Sequence, residues 1–177
     1  RSLQGCSPPG KDVTPMRRSD REITDRNEIL QVMERCDVCR LALNDGEYPY
    51  ILPLNFGMEQ AGEQIILYFH GATEGKKLDL IARDPRASFE MDCGHILHYD
   101  KEKGYCTMGY QSVIGRGRLE LVPDAEKARA LGLLMAHYHG GAAPFSPAAI
   151  PRTTVLRLRV EEISGKTKDI PKPLVSL

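Results

Sequence analysis

The spacing of apolar residues changes several times along the chain, and each change marks an element. Ile29, Leu30, Met33 and Cys36 recur at the three- and four-residue steps of one helical face. Asp25 precedes them, with Glu28 three residues on, a pattern that caps a helix start. From Val38 the period falls to two. The run to Leu43 reads as a strand, Asn44-Asp45-Gly46 as a turn, and Tyr48 to Phe56 as a second strand. Pro49 and Pro53 cannot donate to a ladder, so this strand is expected at a sheet edge or beside a bulge. Gln60-Ala61-Gly62-Glu63 turns the chain into a third strand, Gln64 to His70. A short helix then opens at Lys76-Lys77 and stops near Asp84-Pro85.

Ala87 to Met91 is a fourth strand, and a Gly/Lys-rich loop around 99–104 follows. The run from Tyr105 to Val122 is interrupted by Gly115 and Gly117, which would let it bend as small barrels require. Pro123-Asp124 starts a helix, with Ala128, Leu131, Leu134, Met135 and Tyr138 expected on its apolar side. Gly140-Gly141 stops it, and an Ala/Pro-rich loop spans 142–151. In the last strand, Thr153 to Glu161, Leu156, Leu158 and Val160 alternate with Arg157 and Arg159. Three adjacent strands without parallel crossovers predict a mainly β, α+β fold: an antiparallel barrel with peripheral helices, not a doubly wound sheet. Residues 16–167 read as the single domain. Residues 1–15 read as a leader or an appended segment, and 168–177, with Pro171 and Pro173, as an extended tail.

Composition narrows the function classes. The 177 residues are enough for a proper core, and 41% hydrophobic with 27% charged residues is ordinary for a globular protein. Lys+Arg and Asp+Glu both number 24, so no overall field would gather nucleic acid or an anionic membrane. No apolar run approaches a membrane span and no signal peptide is seen, which leads to the expectation of a cytoplasmic protein. Five cysteines, an odd number in a chain of this size, fit reduced thiols better than a disulfide framework. Cys36 and Cys39 form a Cys-x-x-Cys pair, with Cys93, His95, His98 and Cys106 downstream. Such a set could ligate zinc or an iron–sulfur cluster, but the glycine-rich turn of a zinc knuckle is missing, so buried thiols are expected and no metal.

The sharpest chemical signal is the passage from the apolar strand ending at His70, through a glycine-containing loop, to Lys76-Lys77 at a helix start. Free backbone N–H groups, the positive end of a helix dipole and two ammonium groups suit a phosphate. A solvated helix face is the plainer reading of the same lysines. His70 either satisfies backbone groups at the strand end or serves a substrate, imidazole being the side chain that titrates near neutrality. His137 and His139 complement the dipole at a helix end, with haem ligation as the alternative use.

Several ordered stretches carry a family resemblance: Met16-Arg-Arg-Ser-Asp-Arg-Glu-Ile, Cys36-Asp-Val-Cys-Arg-Leu-Ala, Pro49-Tyr-Ile-Leu-Pro-Leu-Asn-Phe-Gly, Leu67-Tyr-Phe-His-Gly-Ala, Gly75-Lys-Lys-Leu-Asp-Leu-Ile, Phe89-Glu-Met-Asp-Cys, Tyr110-Gln-Ser-Val-Ile-Gly-Arg-Gly and Ile163-Ser-Gly-Lys. Asp25 to Lys166 resembles the flavin-binding split β-barrel proteins of the pyridoxamine 5′-phosphate oxidase superfamily, and more narrowly their 5-nitroimidazole-resistance branch. The resemblance implies a six-stranded split barrel, a homodimer, and flavin mononucleotide (FMN) in two interface clefts. It places Pro53, Leu54, Asn55 and Phe56 along the flavin ring, and His70 and Gly71 beneath it. Lys76 and Lys77 would hold the phosphate, Ser112 would reach in from the other subunit, and Lys166 would approach as well. His70 would border the substrate as the catalytic residue. The vitamin-making oxidases carry a C-terminal arginine-rich, tryptophan-containing segment; this chain has no Trp and ends in a Pro171-Lys172-Pro173 tail. The expected activity is therefore FMN-dependent reduction of a small nitro-aromatic or related electrophile. No Gly-x-Gly-x-x-Gly nucleotide fold is present, so a nicotinamide donor would enter the flavin cleft or a separate reductase would be needed. The alternative is a non-catalytic flavin- or haem-binding carrier or sensor.

Overall fold

The computed structural model describes residues 16–169. In chain order it contains β1 (Glu22–Ile23), α1 (Arg26–Arg35), β2 (Cys39–Asp45), β3 (Tyr48–Leu54), β4 (Gly57–Ala61) and β5 (Gln64–Gly71). Then come α2 (Lys76–Arg83), β6 (Arg86–Asp100), β7 (Tyr105–Leu121), α3 (Asp124–His139) and β8 (Thr154–Lys168). All strand pairs are antiparallel. The order across the sheet is β3-β2-β6-β7-β8-β5-β4, with β1 added to β8.

That order forces the shape. The two edge strands, β3 and β4, are consecutive in the chain and joined only by Asn55 and Phe56. Six interstrand steps would separate them by about 29 Å in a flat sheet. The link from Leu54 to Gly57 reaches at most about 11 Å. The sheet must therefore roll until its edges meet, and since β3 and β4 share no ladder, the barrel keeps an open seam.

Phe56, Phe69, Phe89, Leu41, Leu43, Leu67, Met91, Leu156 and Leu158 fill the interior, and Val32 and Met33 of α1 pack into the same cluster. Asp25 caps α1 as expected, its carboxylate accepting from the Asn27 N–H at 2.9 Å. A smaller cluster, Ile66, Tyr68, Val122, Ala130 and Val155, lies under α3 on the outer side of β5. Gly115 leaves room for the Phe89 ring, and a Cβ on Gly117 would strike the Arg159 carbonyl where β7 and β8 slip register, so both glycines serve the bend.

The antiparallel barrel with outer helices and the edge position of the proline-bearing strand match expectation. The strand count does not: eight strands form among the described residues, against six. The run from Tyr48 breaks at Asn55-Phe56 and continues as β4, which pairs with β5, and β1 is a two-residue addition to β8. β6 runs past Met91 to Asp100 through a bulge at Gly94-His95, and β8 runs on to Lys168. The apolar side of α3 also differs. Ala128 is exposed, while Ala130 and Leu134 are buried and Leu131 and Leu133 half-buried. The expectations for residues 1–15 and for the tail beyond Asp169 lie outside the described residues.

α3 seats on β4 through a glycine. A Cβ on Gly57 would come within 2.5 Å of the Leu134 backbone nitrogen, whereas one on Gly132, inside α3, would meet nothing within 4 Å. Gly57→Ala is expected to destabilise the protein by about 1–3 kcal/mol through overpacking. Gly132→Ala is expected to stabilise it by up to about 1 kcal/mol through helix propensity. Urea unfolding midpoints of the two variants check both; an unchanged midpoint for Gly57→Ala would mean that α3 does not seat there.

Candidate functional site at the barrel seam

The seam opens where β4 leaves β5. Gly57 opposite Tyr68 is the last pair of that ladder. One register step beyond stand Phe56 and Phe69, both fully buried; the next step brings Asn55 and His70, both exposed. Past this point β5 runs on to Gly71 paired with β8 but no longer with β4, and β3 stands on the other side as the outermost strand of the sheet. The segments 53–56 and 70–71 thus flank one opening.

The first turn of α2 bridges the two lips. The Lys76 ammonium lies 2.6 Å from the Asp45 carboxylate and 5.0 Å from the centre of the Tyr50 ring, on the β3 side. The Lys77 side chain folds over Gly71 on the β5 side, so closely that a Cβ there would overlap its ammonium. The adjacent lysines therefore part company, one to each lip. Gly75, at a φ of 128° that favours glycine, starts α2 with no side-chain cap. Its first N–H groups and the positive end of its dipole are left for an anion. His70 lies on the strand face shared with Ile66 and Tyr68, and Gly71 on the other, because successive strand residues alternate. His70 and Lys77 thus approach the opening from opposite faces of β5.

The far end of the opening is held by α3. The Tyr138 hydroxyl accepts from the Phe56 N–H at 3.1 Å and donates to the Asp37 carbonyl at 2.8 Å. His137 Nε2 donates to the Cys36 carbonyl at 2.8 Å, and its ring stands 4.3 Å from that of Phe56. Near its start, α3 is held by Arg129, which grips Glu59; the same carboxylate accepts from the Tyr68 hydroxyl. The Arg129 guanidinium, more than any other neighbour, keeps the Glu59 carboxyl below its ordinary pKa. Neither His137 nor Tyr138 was expected at the site. From the sequence His137 reads as a dipole complement or a haem ligand and Tyr138 as part of the helix's apolar side, and the contact to Phe56 spans 82 residues.

Ser112 is elsewhere on the same chain. It lies on β7 opposite Asp92 and Lys166, whereas His70 lies opposite Val155. Val155 and Lys166 are eleven residues apart on β8, about 36 Å of strand. Ser112 therefore does not share an opening with Lys77 within one chain. Around it Asp92 binds His95 at 2.6 Å and Arg40 at 2.6 Å, and Arg40 also holds Glu90 at 3.0 Å. Burial raises the Glu90 pKa, with the neighbouring Asp92 charge adding to it.

With this geometry in place, comparison with known proteins is direct. The family model described as pyridoxamine 5′-phosphate oxidase matches residues 25–167. The chain belongs to the pyridoxamine 5′-phosphate oxidase family. A candidate 5-nitroimidazole antibiotic resistance protein from Bacteroides thetaiotaomicron is similar to this family member at 29% identity, over 82% of this chain and 86% of that one, with a TM-score of 0.71. A FAD-binding protein from Mesorhizobium loti is 25% identical over 84% of this chain and 98% of its own, with a TM-score of 0.60. A flavocytochrome from Azotobacter vinelandii, 18% identical over 92% of this chain and 76% of its own, shares the fold at a TM-score of 0.73. No curated protein matches the sequence.

Two other features of this family member lie apart from the seam. An open groove of about 530 Å³ on the outer sheet face runs past Asn44, Arg86, Ser88, Arg116 and Glu162, and shares no residue with the sequence-derived site. Its arginines are engaged, Arg86 by Asp84 and Arg116 by Glu162. Among the described residues no group of three or more His, Cys, Asp or Glu side chains is placed to hold a metal ion. No described helix is long and apolar enough to cross a membrane.

Cys36 and Cys39 are buried, and burial pushes both thiols well above their ordinary pKa. At neutral pH they stay protonated and shielded, while Cys106 is exposed. Alkylation of the native protein followed by peptide mapping is expected to modify Cys106 readily, and Cys36 and Cys39 only after denaturation. Labelling of Cys36 or Cys39 in the folded protein would contradict their place in the core.

Proposed function

We propose that this protein is a flavin-binding oxidoreductase that holds FMN across its seam, works as a homodimer, and reduces a small nitro-aromatic or related electrophile. The observation that carries the reading is the uncapped start of α2 lying across the seam, with Lys77 at Gly71. The residues present fit a flavin phosphate. An anion would find free N–H donors, the helix dipole and an ammonium on one side of a glycine with no Cβ to obstruct it. The outer edge of β3 has no strand partner, so Pro53 and Leu54 offer backbone groups along which a ring system would lie. Ser112 supports the dimer, because its distance along β8 lets it serve a flavin only in a second copy. The resemblance to the Bacteroides protein, at 29% identity over most of both chains, supports the nitro-aromatic substrate class. The absence of Trp speaks against pyridoxamine phosphate as substrate.

A bound flavin would supply the redox chemistry, taking hydride or electrons from a nicotinamide or a protein donor and passing them to the electrophile. The chain's own part is to bind and to place. Lys77 and the α2 N–H groups would fix the phosphate, the edge of β3 would orient the ring, and the second subunit would close the cleft to water. His70, exposed at the end of β5, would donate its imidazole proton to a substrate oxygen as charge builds there.

The binding test compares FMN with riboflavin, which lacks the phosphate. Lys77→Ala is expected to weaken FMN binding by on the order of 1.5–3 kcal/mol, about tenfold to a hundredfold. Lys76→Ala should do less, since Asp45 already engages its ammonium. Riboflavin binding should hardly change in either variant. Equal losses for FMN and riboflavin, or a sedimenting monomer that retains FMN tightly, would overturn the shared phosphate site.

The catalytic test uses flavin-loaded, pre-reduced protein. His70→Ala is expected to keep its flavin and to slow nitro-aromatic reduction by about 10²-fold or more. Single-turnover stopped-flow absorbance reads this directly. An unchanged rate per bound flavin would leave His70 as a strand-end residue only.

A further inference from the structure

We infer that Tyr138 and His137 are positioning residues for the flavin-bearing segment: the last turn of α3 sets the path of Pro53–Phe56 without touching the flavin itself. The inference rests on the flavin reading above and adds a determinant outside the cleft.

Asn55 and Phe56 are the only covalent link between the two edges of the sheet, and no ladder holds them. A two-residue bridge of this kind has freedom that a paired strand lacks. The structure removes it from one side. The Tyr138 hydroxyl takes the Phe56 N–H and, through its own proton, ties it to the Asp37 carbonyl at the entry to β2. One residue earlier, the His137 ring packs against that of Phe56 at a tilt of 45° while its Nε2 proton is given to the Cys36 carbonyl. The carbonyl can only accept, so Nε2 carries the hydrogen. Two successive residues at the end of one helix thus join the link to the α1–β2 corner by four separate contacts. Phe56 is fully buried, and Gly57 beyond it is clamped against Leu134. Only Asn55 and the residues before it face the opening. Their backbone, the part proposed to line the ring, is aimed by contacts made behind it. Misplacing such a segment changes both how tightly a flat ligand is held and the polar groups that its ring meets.

α3 has a second anchorage, Arg129 on Glu59, nine residues before Tyr138 and about 13 Å away along the helix axis. It provides a control that loosens α3 without touching the link. Tyr138→Phe removes one oxygen atom and leaves the Phe56 N–H without that acceptor. Its FMN dissociation constant is expected to rise about fivefold or more, and the visible absorption band of its bound flavin to shift from the parent position. Arg129→Ala is expected to lower the melting temperature at least as much, yet to bind FMN with the parent's affinity and spectrum. Equal affinity and spectrum for Tyr138→Phe and the parent would overturn the inference and leave the flavin reading intact. So would an Arg129→Ala protein that loses FMN as strongly, or a Tyr138→Phe protein that fails to fold, since the contact would then serve only stability. A parent protein that takes up neither FMN nor FAD would instead overturn the flavin reading, and this inference with it.

Discussion

The two-residue link at Asn55-Phe56 is the constraint on which the rest of the structure depends. Seven strands paired in series would otherwise make an open twisted sheet, with β3 and β4 at opposite margins. Tethering the margins through two residues rolls the sheet, encloses Phe56, Phe69 and Phe89, and sets the interior volume that α1 then plugs with Val32 and Met33. The same tether prevents complete closure. It is too short for β3 and β4 to lie side by side in register, so one stretch of each lip keeps unpaired backbone groups. A barrel normally abolishes its edges; this one concentrates them in a single place.

Unpaired edges invite pairing with other chains, and the protein treats the two lips differently. β3 carries Pro49 and Pro53, which cannot donate, and its end is held by Tyr138 through the adjoining Phe56. The free end of β5 is only three residues long before Gly75 and α2 turn the chain away. α2 lies across the gap with its positive end unsatisfied, and α3 braces the gap from behind. An anion with a flat apolar body is the ligand class that such an arrangement suits. The positive end receives the charge, and the strand lip offers hydrogen-bonding groups beside a wall of carbon.

The elements were legible wherever a single period held. α1 was readable because Asp25 caps it and its buried residues keep helical spacing; β2 and the first half of β8 were readable from alternation, and β5 from an unbroken apolar run. β4 was not, because Gly57, Met58, Glu59, Gln60 and Ala61 are mostly polar or small on both faces. Glu59 is there to meet Arg129 and Tyr68, a tertiary reason that no local pattern announces. The apolar face of α3 was misjudged for a similar cause. It packs on β4 backbone at Gly57, a contact that asks for closeness and not for a broad apolar stripe. At the site, the strand–glycine–lysine passage was visible as an anion signal, but not the divergence of Lys76 and Lys77. That follows from Asp45 and Tyr50, which the β2–β3 turn brings to Lys76, while Lys77 folds over Gly71.

The seam also explains why so little chemistry is written in the side chains. If a flavin performs the electron transfer, the protein needs neither a nucleophile of lowered pKa nor a metal cluster, and Cys36 and Cys39 can remain buried and protonated. Discrimination among substrates must then come from what borders the opening. Within one chain that border is incomplete, since Asn55 and His70 are exposed and Ser112 is a long strand away. The β6–β7 hairpin beyond the bulge shows a matching surplus. Leu97, Tyr99 and Met108 are exposed on the face that Ser112 shares, held by backbone pairing but covered by nothing among the described residues. Apolar side chains gathered on a projecting hairpin form a patch suited to packing against another surface. Under the dimer proposed above, the opening of one copy and the apolar hairpin face of the other would be complementary. A second copy related by a two-fold axis would satisfy both deficits with one surface, and the residues facing the substrate would then come from two chains.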